Sequence, residues 1–164
     1  MRLISTLDLE LHVFPDNAVP PYTILSHTWG SEEVSYHDML NPTHKVKSSR
    51  GYQKIRACAK VSRDMWYDYT WVDTCCINKT SSAELSESIN SMYAWYRQAG
   101  VCLAYLEDFH GDRMSQVTNK NRWFTRGWTL QELIAPSEVV FYSASWERFG
   151  CRSENALGCP SYND

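Results

Sequence analysis

Glu132 stands four residues after Trp128 in the run Trp128-Thr129-Leu130-Gln131-Glu132-Leu133. On a helix that spacing puts indole and carboxylate on one face. The ring then partly desolvates the acid and offers a flat stacking surface. The competing reading makes Glu132 a solvated or arginine-paired helix residue and Trp128 a core side chain. Arg126 either holds a pyrophosphate or pairs with an Asp or Glu. Ser26, His27 and Trp29 follow a short apolar run, where loop N–H groups can receive a phosphate or an adenine. The alternative there is a turn satisfied by Ser26 and Thr28, with Trp29 packed. Asp73 interrupts a β-branched, apolar run and needs a partner if buried: a loop N–H, His27 or Arg126. Cys75 with His27 has the residue types of a thiol nucleophile and its base, but no third orienting group is evident.

Other chemistries are disfavoured. The five histidines show neither HxxxH nor HExxH spacing, so no metal site is expected. No GxGxxG or GxxxxGK[ST] loop occurs, which argues against dinucleotide redox chemistry and P-loop hydrolysis. A formal charge of −3 lacks the basic excess of a nucleic-acid binder. No run approaches the roughly 18 apolar residues of a membrane span, and the first eight residues lack the apolar run of a signal peptide. A cytoplasmic protein without membrane contact is therefore the expectation. The six cysteines include no CxxC pair, and four lie in apolar segments. They read as reduced thiols.

Hydrophobic patterning outlines the elements that must position these groups. Leu7, Leu9, Leu11 and Val13 alternate with polar residues as in an edge strand. Tyr22 to Ser26, Thr70 to Ile77, Val101 to Leu106 and Val139 to Tyr142 read as apolar strands. Between them lie a helix over 51–67, a helix from Ser81 to Gly100 with a capping-box signal in Ser81 and Glu84, and a helix over about 125–134 that stops before Pro136. Glu84 and Glu87 are placed to cap the second helix, whose apolar stripe is Leu85, Ile89, Met92, Tyr93 and Tyr96. Residues 31–50 and 109–121 read as loops. Alternating near-continuously apolar strands and helices predict an α/β three-layer sandwich with a mainly parallel central sheet, flavodoxin-like. One domain over 1–150 and an irregular tail over 151–164 are expected. The polar clusters at 26–29, 73–74 and 107–108 then fall at carboxyl strand ends, where such sheets bind ligands.

Three blocks resemble the fungal heterokaryon incompatibility (HET) domain: Tyr22 to Gly30, Trp71 to Lys79 and Arg122 to Pro136. Ser81 to Glu87 and Ile89 to Tyr93 also match that family's pattern, and the resemblance runs to about Phe149. It implies a role in fungal non-self recognition, with cell death as the output. It also implies a distant relation to the Toll/interleukin-1 receptor (TIR) fold, several members of which cleave NAD+ with a helix-borne glutamate in a Trp-x-x-x-Glu-Leu pattern. On that match Glu132 carries the catalytic role, with Ser26, His27, Trp29, Asp73, Arg126 and Trp128 as candidate binding residues. NAD+ is then a candidate substrate, with no tightly bound cofactor. The chemistry suits a carboxylate: nicotinamide leaves without a general acid, and the oxocarbenium-like ribose left behind is stabilised by negative charge. The alternative is a non-enzymatic module that signals through self-association or partner docking, which the aromatic content of 13% also suits.

Overall fold

The computed structural model describes residues 1–152. In chain order the elements are β1 (Arg2–Ser5), β2 (Leu11–Val13), β3 (Thr23–His27), α1 (Tyr36–Leu40), α2 (His44–Ser48), α3 (Arg50–Asp64), β4 (Tyr69–Trp71), α4 (Asp73–Cys76), α5 (Ser82–Gln98), β5 (Val101–Tyr105), α6 (Thr129–Ile134), β6 (Val139–Tyr142) and β7 (Arg148–Cys151). The seven strands form one sheet in the order β2-β1-β4-β3-β5-β6-β7. Its centre, β4-β3-β5-β6, is parallel, and antiparallel pairs flank it on both sides. The expected α/β class with a mainly parallel sheet is observed.

The two long helices cover opposite faces. Ser62 of α3 shares a hydrogen bond with Thr23, which bonds Thr70 in turn. Tyr96 of α5 packs its ring edge-on against Trp71. Thr70 and Trp71 are neighbours on one strand and point to opposite sides, so α3 and α5 do too. Right-handed crossovers that leave β3 for β4 and then return past it to β5 require this arrangement. β3 and β5 are buried along their whole length, which accounts for their near-continuous apolar character.

Several local expectations need correction. The alternation from Leu7 to Val13 is not one strand: β1 and β2 form a hairpin, and Leu7 is an exposed turn residue. Asp8 accepts the Glu10 N–H at 3.0 Å, so a local side-chain turn overrides the period-2 pattern. The strand expected to run to Ile77 stops at Trp71, and α4 follows with the Cys75 and Cys76 N–H groups bonded to the Val72 carbonyl. Its adjacent cysteines therefore lie on a helical turn rather than on opposite strand faces. Residues 31–50 hold α1 and α2, capped by Ser35 with Asp38 and by Thr43. The helix expected over 125–134 begins at Thr129, preceded by a 3-10 turn over Arg122–Thr125. Ser81 caps α5, but Glu84 turns away from the cap to pair with Arg2 and accept the Asn78 N–H.

Strand β7 crosses the boundary expected at residue 150, and the rest of the expected tail, 153–164, lies outside the described residues. Cys58, Cys75, Cys76 and Cys102 are buried free thiols as expected, whereas Cys151 is disulfide-bonded. Among the described residues no helix is long and apolar enough to cross a membrane.

Gly51, in the first turn of α3, allows the helix to press on the preceding loop: a Cβ there would overlap the Glu32 carbonyl oxygen. Gly→Ala in an ordinary helix stabilises by up to about 1 kcal/mol. Here Gly51→Ala is expected to destabilise instead, by about 1–3 kcal/mol as for other overpacked sites, read as a lower midpoint in urea or thermal unfolding.

Candidate functional site

Ser26 and His27 are consecutive in β3, and their side chains leave opposite faces of the sheet. Each begins a separate buried network at the carboxyl end of the parallel strands.

On the α5–α6 side, Ser26 Oγ donates to Glu132 Oε2 at 2.5 Å. The direction of that bond is set by Trp123, whose indole N–H donates to the same Oγ at 2.8 Å. Arg126 closes the arrangement with a bidentate fork, Nη1 to Oε2 at 2.7 Å and Nη2 to Oε1 at 2.9 Å. Glu132 is thus buried, with both oxygens engaged. The local chain explains how: α6 starts at Thr129, whose hydroxyl bonds the Trp123 carbonyl and folds the 3-10 turn back onto the helix. Trp128 takes a helical conformation ahead of α6 and its carbonyl accepts the Glu132 N–H, so the four-residue relation holds.

On the other side, His27 Nε2 meets Asp73 Oδ1 at 3.0 Å, and the Trp29 indole N–H donates to Asp73 Oδ2 at 2.9 Å. Lys79 Nζ sits 3.8 Å from the same carboxylate and 3.7 Å from the centroid of the Trp29 ring. His27 Nδ1 lies 3.9 Å from Glu33, which takes the Lys54 ammonium at 2.5 Å. Burial pushes the Asp73 carboxyl up, but the His27 bond and charge, the Lys79 charge and the Trp29 N–H outweigh it, and the group titrates below its ordinary range. Burial also draws the Lys79 ammonium down, against the pull of Asp73.

The two networks meet at a cleft of about 510 Å³ whose walls include Trp29, Asp73, Lys79, Arg126, Trp128 and Glu132. That volume suits a small organic ligand. Leu85, Ile89 and Met92 of α5 form its apolar side. Part of the stripe expected to cover the core is therefore cleft wall, and Ile89 and Tyr93 remain exposed. The cleft sits where the chain leaves β3 in one direction and returns past it in the other, the place where open parallel sheets gather ligands.

Of the candidate residues, Trp29, Asp73, Arg126, Trp128 and Glu132 line this cleft, and Ser26 and His27 stand directly behind Glu132 and Asp73. In the chain without ligand Asp73 pairs with His27 and Trp29, and Arg126 pairs with Glu132. Cys75 is fully buried beside Cys76, its thiol held well above the ordinary value, so the thiol-nucleophile reading falls. Trp123 and Lys79 were not anticipated. They lie inside the blocks Arg122 to Pro136 and Trp71 to Lys79 singled out in the sequence, but nothing in their spacing marks one as the orienter of Ser26 and the other as the cap on Trp29. The cleft is lined by two cations, two indoles and two anchored carboxylates, a set with partners for phosphate, planar rings and hydroxyls.

Residues 22–120 match the family described as heterokaryon incompatibility protein (HET). The chain is also 48% identical over 152 residues to vegetative incompatibility protein HET-E-1 of Podospora anserina, covering 85% of this chain and 11% of that protein. It therefore spans about a tenth of the length of that relative. No solved structure gives a significant match.

A carboxyl held below its ordinary value of 3.8 stabilises the fold fully above that pH and loses the contribution as pH falls through its native pKa. Asp73→Asn is therefore expected to lower stability at neutral pH and to flatten the loss of stability below pH 3.8, measured as urea midpoints against pH.

Proposed function

The chain belongs to the heterokaryon incompatibility (HET) family, and from that membership we propose that it is a death-signalling domain of fungal non-self recognition that cleaves NAD+ at Glu132. The name of the Podospora relative supports the first half of the proposal. One observation carries the second: Glu132, Arg126, Trp128 and Trp29 border a single cleft at the carboxyl ends of the parallel strands.

In the proposed reaction the bond between the ribose C1′ and the nicotinamide nitrogen breaks, and its electron pair leaves with the ring, which departs neutral. Water adds its oxygen to C1′ and releases a proton, giving ADP-ribose. Glu132 contributes negative charge beside the oxocarbenium-like sugar and an acceptor for its hydroxyls. Trp128 and Trp29 offer planar surfaces to the two bases. Arg126 and Lys79 supply positive charge toward the pyrophosphate.

A second reading rests on a different observation. Trp128, Leu130 and Ile134 around α6 and Ile89 and Tyr93 on α5 are all exposed, with Leu130 at 66%. Such apolar surface suits a module that signals by docking onto a partner or a second copy, with Glu132 as a structural ion pair.

Nicotinamide release from NAD+ by concentrated or artificially clustered protein separates the two. Glu132→Gln keeps the shape of the side chain and is expected to lower the rate by about 10²-fold or more. Release by a folded Glu132→Gln variant at the wild-type rate would sink the nucleosidase. Undiminished killing of cells by that variant favours the docking module.

A further inference from the structure

The carboxylate proposed to do the chemistry is occupied in the free protein. Its two oxygens are not held alike. Oε2 is fixed from behind by Ser26, whose hydroxyl is itself oriented by the buried Trp123 indole, and it takes one arm of Arg126 as well. Among the described residues, Oε1 takes only the other arm of Arg126. The Ser26 and Trp123 bonds join fully buried side chains to the sheet, whereas the Arg126 side chain is 20% exposed and borders the cleft. Next to it, Gly127 leaves open space where a side chain would stand. The guanidinium is thus the partner that a ligand in the cleft can reach, and Ser26 is the one it cannot.

We propose that Arg126 is a phosphate-responsive clamp: it holds Glu132 Oε1 in the free protein and releases it when a phosphate-bearing ligand in the cleft takes over the guanidinium. The proposal rests on the Glu132 reading above and adds how that site is switched. An arginine fork engages either a carboxylate or a phosphate edge, and a doubly charged pyrophosphate competes well for it. Loss of the fork leaves Glu132 anchored through Oε2, so the carboxylate keeps its position while Oε1 gains a free lone pair pointing into the cleft. A ligand hydroxyl can then donate to it. A ligand without phosphate leaves the clamp shut, which makes Arg126 a positioning and specificity residue in this scheme. Because binding must first break an ion pair, the free protein binds phosphate more weakly than the same cleft with Glu132 neutralised.

Inorganic pyrophosphate is the test ligand, titrated calorimetrically into wild-type chain, Glu132→Gln and Arg126→Gln, with thermal melts recording that each variant is folded. Glu132→Gln is expected to bind pyrophosphate about tenfold tighter than wild type, since about 1.4 kcal/mol of ion-pair competition suffices for that factor. Arg126→Gln is expected to lose binding. A purely structural ion pair moves neither affinity in this pattern. Equal affinity in wild type and Glu132→Gln, retained binding in Arg126→Gln, or no binding to any of the three overturns the clamp.

A second measurement needs no variant. In nitrogen-edited NMR spectra of wild type, pyrophosphate should shift the Arg126 side-chain N–H signal while leaving the Trp123 indole N–H in place, because the Ser26 anchor persists. Movement of the Trp123 signal alone would overturn the scheme. If the pyrophosphate pattern appears and wild type still fails to release nicotinamide from NAD+, the nucleosidase reading is lost and the phosphate clamp stands.

Discussion

A buried carboxylate organises one whole end of this domain. Removing a single partner from a buried ion pair typically costs about 3–5 kcal/mol, so burial of Glu132 obliges the chain to bring Ser26 and Arg126 to it together. Ser26 comes from the middle of the sheet, Arg126 from the segment between the 3-10 turn and α6, and Trp123 from that turn itself. One charge therefore joins β3, the turn and the last helix. The short length of α6, six residues, fits the same account. Intrinsic propensity does little for so short a helix, and its position is set by the Glu132 network and by the Thr129 bond to the Trp123 carbonyl.

The opposite network shares this logic with different residues. His27 lies between Asp73 and Glu33, and Glu33 is met by the nearly buried Lys54 of α3. Each carboxylate at this low-dielectric rim has its own partners, His27, Trp29 and Lys79 for Asp73 and Lys54 for Glu33, so neither is buried uncompensated. Trp29 and Lys79 extend the network into the cleft. Seen from the ligand's side, each of the two carboxylates of the cleft is backed by a buried side chain that orients it, Ser26 behind Glu132 and His27 behind Asp73. Such preorganisation is what a site for charge stabilisation requires.

The rest of the surface around the cleft is less committed. Ile89 of α5 and Trp128 just ahead of α6 are exposed and line the cleft, so a ligand there and a protein docked on them would meet overlapping surface. Under the two proposed readings, ligand occupancy and docking would therefore be linked.

Local chemistry was legible in the residues themselves. Burial along β3, β5 and β6 follows from their apolar runs, the cap of α5 from Ser81, and the Trp128–Glu132 relation from a spacing of four, whereas α1 and α2 with their Ser35 and Thr43 caps were passed over as loop. Strand-end placement of Ser26, His27 and Asp73 followed from the alternation of strands and helices. Pairing was legible only as alternatives, His27 being one of three partners for Asp73 and an arginine one reading of Glu132, while the Ser26 bond was not foreseen. Glu132 meets a serine 106 positions away, and Asp73 meets a histidine 46 positions away. Periodicity reports which face a residue turns inward but carries nothing about what waits there. For the same reason α4 and the Asp8 turn escaped notice: each is a case where a hydrogen bond to a nearby backbone group outweighs a strand-like pattern. The sequence by itself determined the class of the fold and the types of group at the strand ends. Tertiary structure alone decided which acid is anchored by Ser26, which is held by His27, and that one cleft lies between them, because buried charges choose partners by distance in space.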